Sequence, residues 1–307
     1  MIELKSLFKL QPALAIKYFR NKKNVTSWDW YEIWQDAHKK SFTVAKAMNT
    51  KVLNDIRDAL DKSLSEGKTF HEFQKDLKPL LQKRGWWGMR EPCVESATAL
   101  RRQRRSRTKP FDGDVGTQAK PSTTGADLIV VDTEGNAEKV QLGSMYRLKN
   151  IYRVNMQTAY MTGRYQTQLD NVDNRPYWEY VAVMDSSTRP EHAMLNGLVF
   201  RYDDPFWNAF YPPNGWNCRC RVVARSQKNL DALDILPNSS DGTLSDEMHL
   251  VSKKRIAGRV RSEAETRLTP ATKQDGEYKP VTVYTDPLTG KKIAPDVGWS
   301  HNPADFR

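Results

Sequence analysis

Residues 177–224, YWEYVAVMDSSTRPEHAMLNGLVFRYDDPFWNAFYPPNGWNCRCRVVA, decide the fold. This stretch holds two of the three cysteines, one of the five histidines and three of the nine tryptophans. It opens and closes on strand-like runs, 180–184 and 218–224, which are β-branched or alternating and bounded by turn residues. Between them lies an excursion rich in Pro, Gly and aromatics that propensity alone does not order. Something must pin it, and the polar groups at hand are Asp185, Arg189, His192, Cys218 and Cys220.

Cys218 and Cys220 alternate in a strand-like run, so both thiols face the same side. Adjacent Cys-x-Cys geometry rarely suits a disulfide. It suits two thiolates converging on a soft cation, with His192 as a third ligand and Asp185 or a water as a fourth. Together these form a candidate tetrahedral zinc site. The competing reading is two buried thiols acting as small hydrophobes beside a surface histidine. Asp185 and Arg189 read as a loop ion pair across Ser186-Ser187-Thr188. A catalytic reading makes Asp185, Arg189 and His192 an acid/base and anion-holding cluster for phosphodiester chemistry. No second carboxylate or histidine is spaced beside them to complete an acid–base pair. No phosphate-cradling Gly-rich loop and no His-Glu-x-x-His are present.

Upstream the pattern is helical. Residues 1–21 read as one amphipathic helix, with Pro12 where a helix can start. Trp30, Ile33, Trp34, Ala37 and Phe42 recur at helical spacing, and so do Val52, Ile56, Ala59, Leu60 and Leu64, with a stop at Glu66-Gly67. Thr69 and Glu72 form a capping box for a further helix carrying Phe70, Phe73, Leu77, Leu80 and Leu81. Gly85-Trp86-Trp87-Gly88 closes the region. Residues 128–142 carry a hairpin signal around Glu134-Gly135-Asn136. A long helix is predicted over residues 144–170, polar for its length through Arg153, Asn155, Gln157 and Arg164. Downstream, residues 244–267 read as a helix with a basic face (Lys253, Lys254, Arg255, Arg259, Arg261), followed by a strand at 281–284 and a turn at Asp286-Pro287.

Residues 91–127 break the pattern. Arg101, Arg102, Arg104, Arg105, Arg107 and Lys109 form a run of six basic residues with no acid. The segment has too few apolar residues to offset ordering entropy, so it is expected to be mobile. Six close positive charges suit counterion release from a nucleic-acid backbone. The absence of aromatics in the run argues against base stacking. The other reading is a solvated loop.

The bulk numbers agree with an anionic partner: 307 residues carry a net charge of +11. No stretch of about eighteen apolar residues predicts a membrane span, and MIELKSLFKLQPALAIKYF lacks a signal-peptide pattern. Three cysteines make no disulfide framework, so a reducing compartment is expected.

Several motifs in order resemble the phage Mu F-like head-morphogenesis (minor head protein) family: IYRVNMQTAYMTGRY at 151–165, DSSTRPEHAMLNG at 185–197, YPPNGWNCRC at 211–220 and GWSHNP at 298–303. The resemblance covers most of the chain except about residues 91–127. It implies a minor capsid protein of a tailed phage, made late and incorporated at low copy near the portal. Such a protein acts without catalysis in head assembly and in DNA packaging or ejection. The implied partners are portal, major capsid or scaffold proteins, together with phage double-stranded DNA through the basic arm. The implied locations are the host cytoplasm during assembly and the interior of the virion head. The same module occurs fused to toxin enzymes, and the short tail here argues against such a fusion. The alternatives are a nuclease- or toxin-like enzyme using the Asp185–His192 loop, or a non-specific DNA-binding protein.

The expected fold is α+β: a helical N-terminal region (1–90), a basic mobile insertion (91–127), an α+β module with a long helix packed on a small antiparallel sheet with long irregular loops (128–230), and a helix plus extended tail (231–307).

Overall fold

The computed structural model describes residues 12–27, 30, 32–35, 37–90, 140–253 and 276–304. The basic run at 101–109, residues 1–11 of the predicted first helix and most of the predicted hairpin lie outside the described residues. The architecture is α+β, as the sequence predicts.

One helix organises the molecule. α5 (Met145–Leu169) begins at Ser144, whose hydroxyl accepts from Arg147 N, and ends at Asp170. Its N-terminal half belongs to a helical core and its C-terminal half to an α+β core. In the first core, Leu148, Met156 and Ala159 pack with α1 (Pro12–Asn21), α3 (Thr50–Glu66) and α4 (Phe70–Lys83). α3 is capped by Asn49 and stopped at Gly67, which adopts the left-handed conformation that glycine permits. α4 carries the expected Thr69–Glu72 capping box. Phe73 and Tyr152 meet at 5.2 Å between ring centroids, joining α4 to α5.

In the second core, Met161 and Tyr165 of α5 pack on a three-stranded antiparallel sheet of order β6–β5–β7 (Val199–Arg201, Tyr177–Val181, Arg221–Arg225). Trp178 and Tyr180 of β5 are fully buried there with Phe206, Trp207 and Phe210 of α7 (Phe206–Phe210). Tyr284, Ile293 and Ala304 from the C-terminal segment join the same core.

The polar residues of α5 have a specific use. β7 is an edge strand, and an edge leaves backbone groups unpaired. Gln157 donates to Cys220 O (3.0 Å), while Arg164 (2.8 Å) and Gln168 (3.1 Å) both donate to Val222 O. Tyr211 donates its hydroxyl to Gln168 Oε1 at 2.8 Å. The helix therefore satisfies the Val222 carbonyl on that strand and the Cys220 carbonyl just before it.

Where α5 begins, β3 (Met89–Arg90) pairs antiparallel with β4 (Val140–Gln141), the described end of the predicted hairpin. A Cβ at Gly143 would lie 2.5 Å from the Trp86 carbonyl oxygen and 2.9 Å from the Trp87 ring. Only glycine lets the GWWG corner close on the start of α5.

Three readings are corrected. The predicted helix through Trp30–Phe42 is, among described residues, only α2 (Ala37–Lys40), followed by β2 (Ser41–Phe42), which pairs in parallel with β1 (Lys23–Asn24). Gln35 has a positive φ of 37°, which interrupts a helix there. The predicted helix at 244–267 is, over its described part, strand β8 (Leu244–Lys253). It pairs antiparallel with β9 (Gly276–Thr285), and β9 pairs with β10 (Lys292–Ile293). Here cross-strand pairing overrides local propensity. Lys253 lies on β8, and Lys254, Arg255, Arg259 and Arg261 lie outside the described residues. Finally, β5 starts and stops three residues earlier than the run at 180–184 suggests, and β7 starts three residues after Cys218. No described helix is long and apolar enough to cross a membrane.

Candidate functional site

The excursion between β5 and β7 is pinned at several points. Asp185 accepts from Ser187 N at 2.9 Å, making an Asx turn, and Thr188 donates its hydroxyl to Val183 O. This turn leads into α6 (Pro190–Met194), with Pro190 at its first position. Asn196 accepts from Ala182 N, and Gly197 N donates to Tyr180 O.

The expected Asp185–Arg189 ion pair is not formed. Arg219 donates to both Asp185 oxygens at 2.6 Å. Arg189 instead donates to Trp216 O (2.8 Å) and pairs with Asp296 (3.0 Å). Asp296 also accepts from Trp216 N, and its own N–H donates to Asn214 O at 2.9 Å. A Cβ at Gly215 would lie 2.2 Å from Asp296 Oδ2, so glycine is what admits this carboxylate against the loop. Swapping the partners has a simple cause. Arg219 sits between the two cysteines, so turning both sulfurs inward turns its guanidinium outward onto Asp185.

Beneath the surface pairs lies a buried cluster. His192, Cys218 and Cys220 are 4 %, 5 % and 2 % exposed, and their ligand atoms all lie within 4.8 Å of one another. His192 Nδ1 is 3.7 Å from Cys218 Sγ and 3.5 Å from Cys220 Sγ. The structure thus brings three of the four predicted ligands together. Asp185 is not among them: both its oxygens are held by Arg219. A hydrogen bond from Cys218, with further ones from His192 and Tyr180, holds Cys220 down to about 5 against the opposing effect of burial. Cys218, donating to Cys220 and buried, is pushed well above the ordinary thiol range.

Two residues of this site were not singled out from sequence. Tyr180 contacts Cys220, and Asn214 donates to the Tyr180 hydroxyl at 3.1 Å and to Phe210 O at 2.9 Å. Backbone N–H groups of Asn214 and Cys220 also point to Cys218. Asn214 stands in the same motif as the cysteines, which was the signal available for it. Two fully buried atoms, His192 Nε2 and Asn214 Oδ1, have no hydrogen-bond partner among the described residues.

The Asp185–Arg219 pair predicts a pH effect. Arg219 and the Ser187 N–H hold the Asp185 carboxyl well below the usual carboxylate range. A depressed folded-state pKa gives stabilisation that is present above the ordinary Asp value and is lost as pH falls through the folded one. Asp185→Asn should therefore be less stable than the parent at neutral pH, with the two converging in acid. Denaturant midpoints measured down a pH series check this; a gap that stays constant into strong acid refutes it.

Residues 54–223, from α3 to β7, match the family described as Phage Mu protein F like protein. The chain belongs to this family. It is 39% identical over 302 residues to the putative capsid assembly protein F of Escherichia phage Mu, covering 98% of this chain and 56% of that protein. It is 38% identical over 256 residues to the Mu-like prophage FluMu F protein of Haemophilus influenzae, covering 83% of this chain and 51% of that one. The chain thus spans about half the length of the curated relatives it matches. No solved structure matches it. The family match ends within β7, so it takes in His192, Cys218, Cys220, Tyr180 and Asn214 but not Asp296.

Proposed function

We propose that this protein acts in assembly of a tailed-phage head as a non-enzymatic minor component, incorporated at low copy near the portal. The observation that carries this reading is the 39% identity to a capsid assembly protein over 98% of the chain. The partners are phage head proteins: the portal, the major capsid protein or the scaffold. The setting is the host cytoplasm during assembly and then the interior of the virion head.

The geometry supports a structural reading over the nuclease- or toxin-like one. That alternative needs Asp185 and His192 to work on one substrate. Asp185 instead lies half-exposed in a bidentate pair with Arg219, while His192 is buried against two sulfurs. Deleting the coding region from an inducible prophage tests the assembly role. Electron microscopy of the lysate is expected to show aberrant or empty heads and a loss of infectious particles. Normal yields of filled, infectious heads would overturn it. Asp185→Ala is expected to leave assembly activity largely intact; turnover on nucleic acid that vanishes in this variant would favour the enzyme instead.

The run Arg101, Arg102, Arg104, Arg105, Arg107 and Lys109 is proposed to contact packaged double-stranded DNA through phosphates alone. With six phosphate contacts, the slope of log affinity against log salt is about −5. Affinity unchanged on deletion of residues 101–109 would refute that contact.

A further inference from the structure

We propose that His192 Nδ1, Cys218 Sγ and Cys220 Sγ hold a zinc ion that clamps residues 182–220 onto the β5–β7 pair, with solvent in the fourth position. This inference stands whether or not the assembly role does, because it rests on the geometry of the three side chains.

The separations carry the argument. A tetrahedral ion with Zn–S near 2.3 Å and Zn–N near 2.05 Å places sulfur and nitrogen about 3.6 Å apart. The observed Nδ1···Sγ distances are 3.5 and 3.7 Å. Both sulfurs thus stand off the same nitrogen at the spacing that one shared ion imposes. The donor set is two thiolates and an imidazole, which zinc accepts.

Charge and surroundings agree. Two thiolates neutralise the dication, so the buried site carries no net charge, whereas an isolated buried ion is costly. Loading needs both sulfurs deprotonated, so any proton still held by the pair leaves to solvent. The shell is built for anionic sulfur: Tyr180 contacts Cys220 and is itself held by Asn214, and two backbone N–H groups point to Cys218. His192 is buried, and its Nδ1 faces both sulfurs. Asn214 Oδ1 is buried with no donor among the described residues, an acceptor that a metal-bound water would satisfy.

The position of the cluster gives it a task. His192 lies on the short α6, while the cysteines close the excursion just before β7. A ligand from each end ties a loop of 26 to 28 residues in sequence separation. Because these three ligands converge only in the folded chain, metal binding stabilises the folded state by mass action.

The test is metal analysis of the full chain purified without chelator, followed by cobalt(II) titration of the metal-depleted protein. About one zinc per chain is expected, and cobalt should give thiolate-to-metal charge-transfer bands with visible bands of tetrahedral intensity. Chelation should lower the melting temperature by ~5 °C or more, and zinc should restore it. Cys218→Ser, Cys220→Ser and His192→Ala should each lose the metal, while Asp185→Asn keeps it. Because the cysteine variants can fail to fold, chelation and reloading of the parent chain decides on its own. A parent chain that neither carries zinc nor gives the cobalt bands overturns the proposal and leaves an S–H···N hydrogen-bonded cluster. Iron or copper in place of zinc overturns the choice of ion. Loss of metal in folded Asp185→Asn overturns the three-ligand set.

Discussion

Trp178→Ala is expected to destabilise the protein by about 3–5 kcal/mol, the range for deleting a large buried aromatic. Trp178 is fully buried at the centre of the second core. Its ring stands 5.4 Å from Tyr165, 5.7 Å from Trp207 and 5.9 Å from Tyr211, each edge-on. Those three rings come from α5, α7 and the loop after α7, so one deletion opens a cavity shared by three segments. Neighbours that are themselves fully packed collapse poorly into such a space, which places the cost in the upper part of the range. Trp178→Phe keeps most of the contacts. It also removes an indole N–H that has no hydrogen-bond partner among the described residues, so its cost should be well under half. Denaturant midpoints of the two variants check this; equal losses would refute the packing account.

Arg147→Ala is expected to cost about 2–4 kcal/mol, through carbonyls left without donors rather than through lost charge. Arg147 lies in the first turn of α5. Its guanidinium donates to Gln141 O (3.1 Å), to Leu142 O and to Ala45 O (2.5 Å), and lies 4.9 Å from the centre of the Trp86 ring. It therefore ties three chain segments that are far apart in sequence. Arg147→Lys retains the charge but not the planar fork, and should recover less than half of the loss. Full rescue by lysine would show that charge alone matters here.

Arg147 also marks the limit of what the sequence discloses. Helices were legible where local chemistry sets their ends: Ser144 and Asp170 bound α5, and Thr69 with Glu72 starts α4. The cluster was legible in kind because Cys218 and Cys220 alternate, although the backbone there is irregular rather than paired strand. What failed was partner choice. Asp185 had two arginines within reach of a plausible loop, and side-chain alternation around the cysteines chose Arg219. Likewise, Gln157 and Arg164 read only as polar residues of a long helix, and Gln168 was not singled out. Their acceptors lie more than fifty residues away, on an edge whose existence depends on the sheet order. The strand at β8 was misread for the same reason: its partner, β9, is a long-range fact.

The continuity of α5 has a consequence for how order is lost. Ala159 closes one core and Met161 opens the other, with Tyr160 packed against the first. No flexible joint separates them, so melting either core unravels the rod that the other stands on. The two should come apart in one cooperative event, and the amide protons at the middle of α5 should be the last in the molecule to exchange with deuterium.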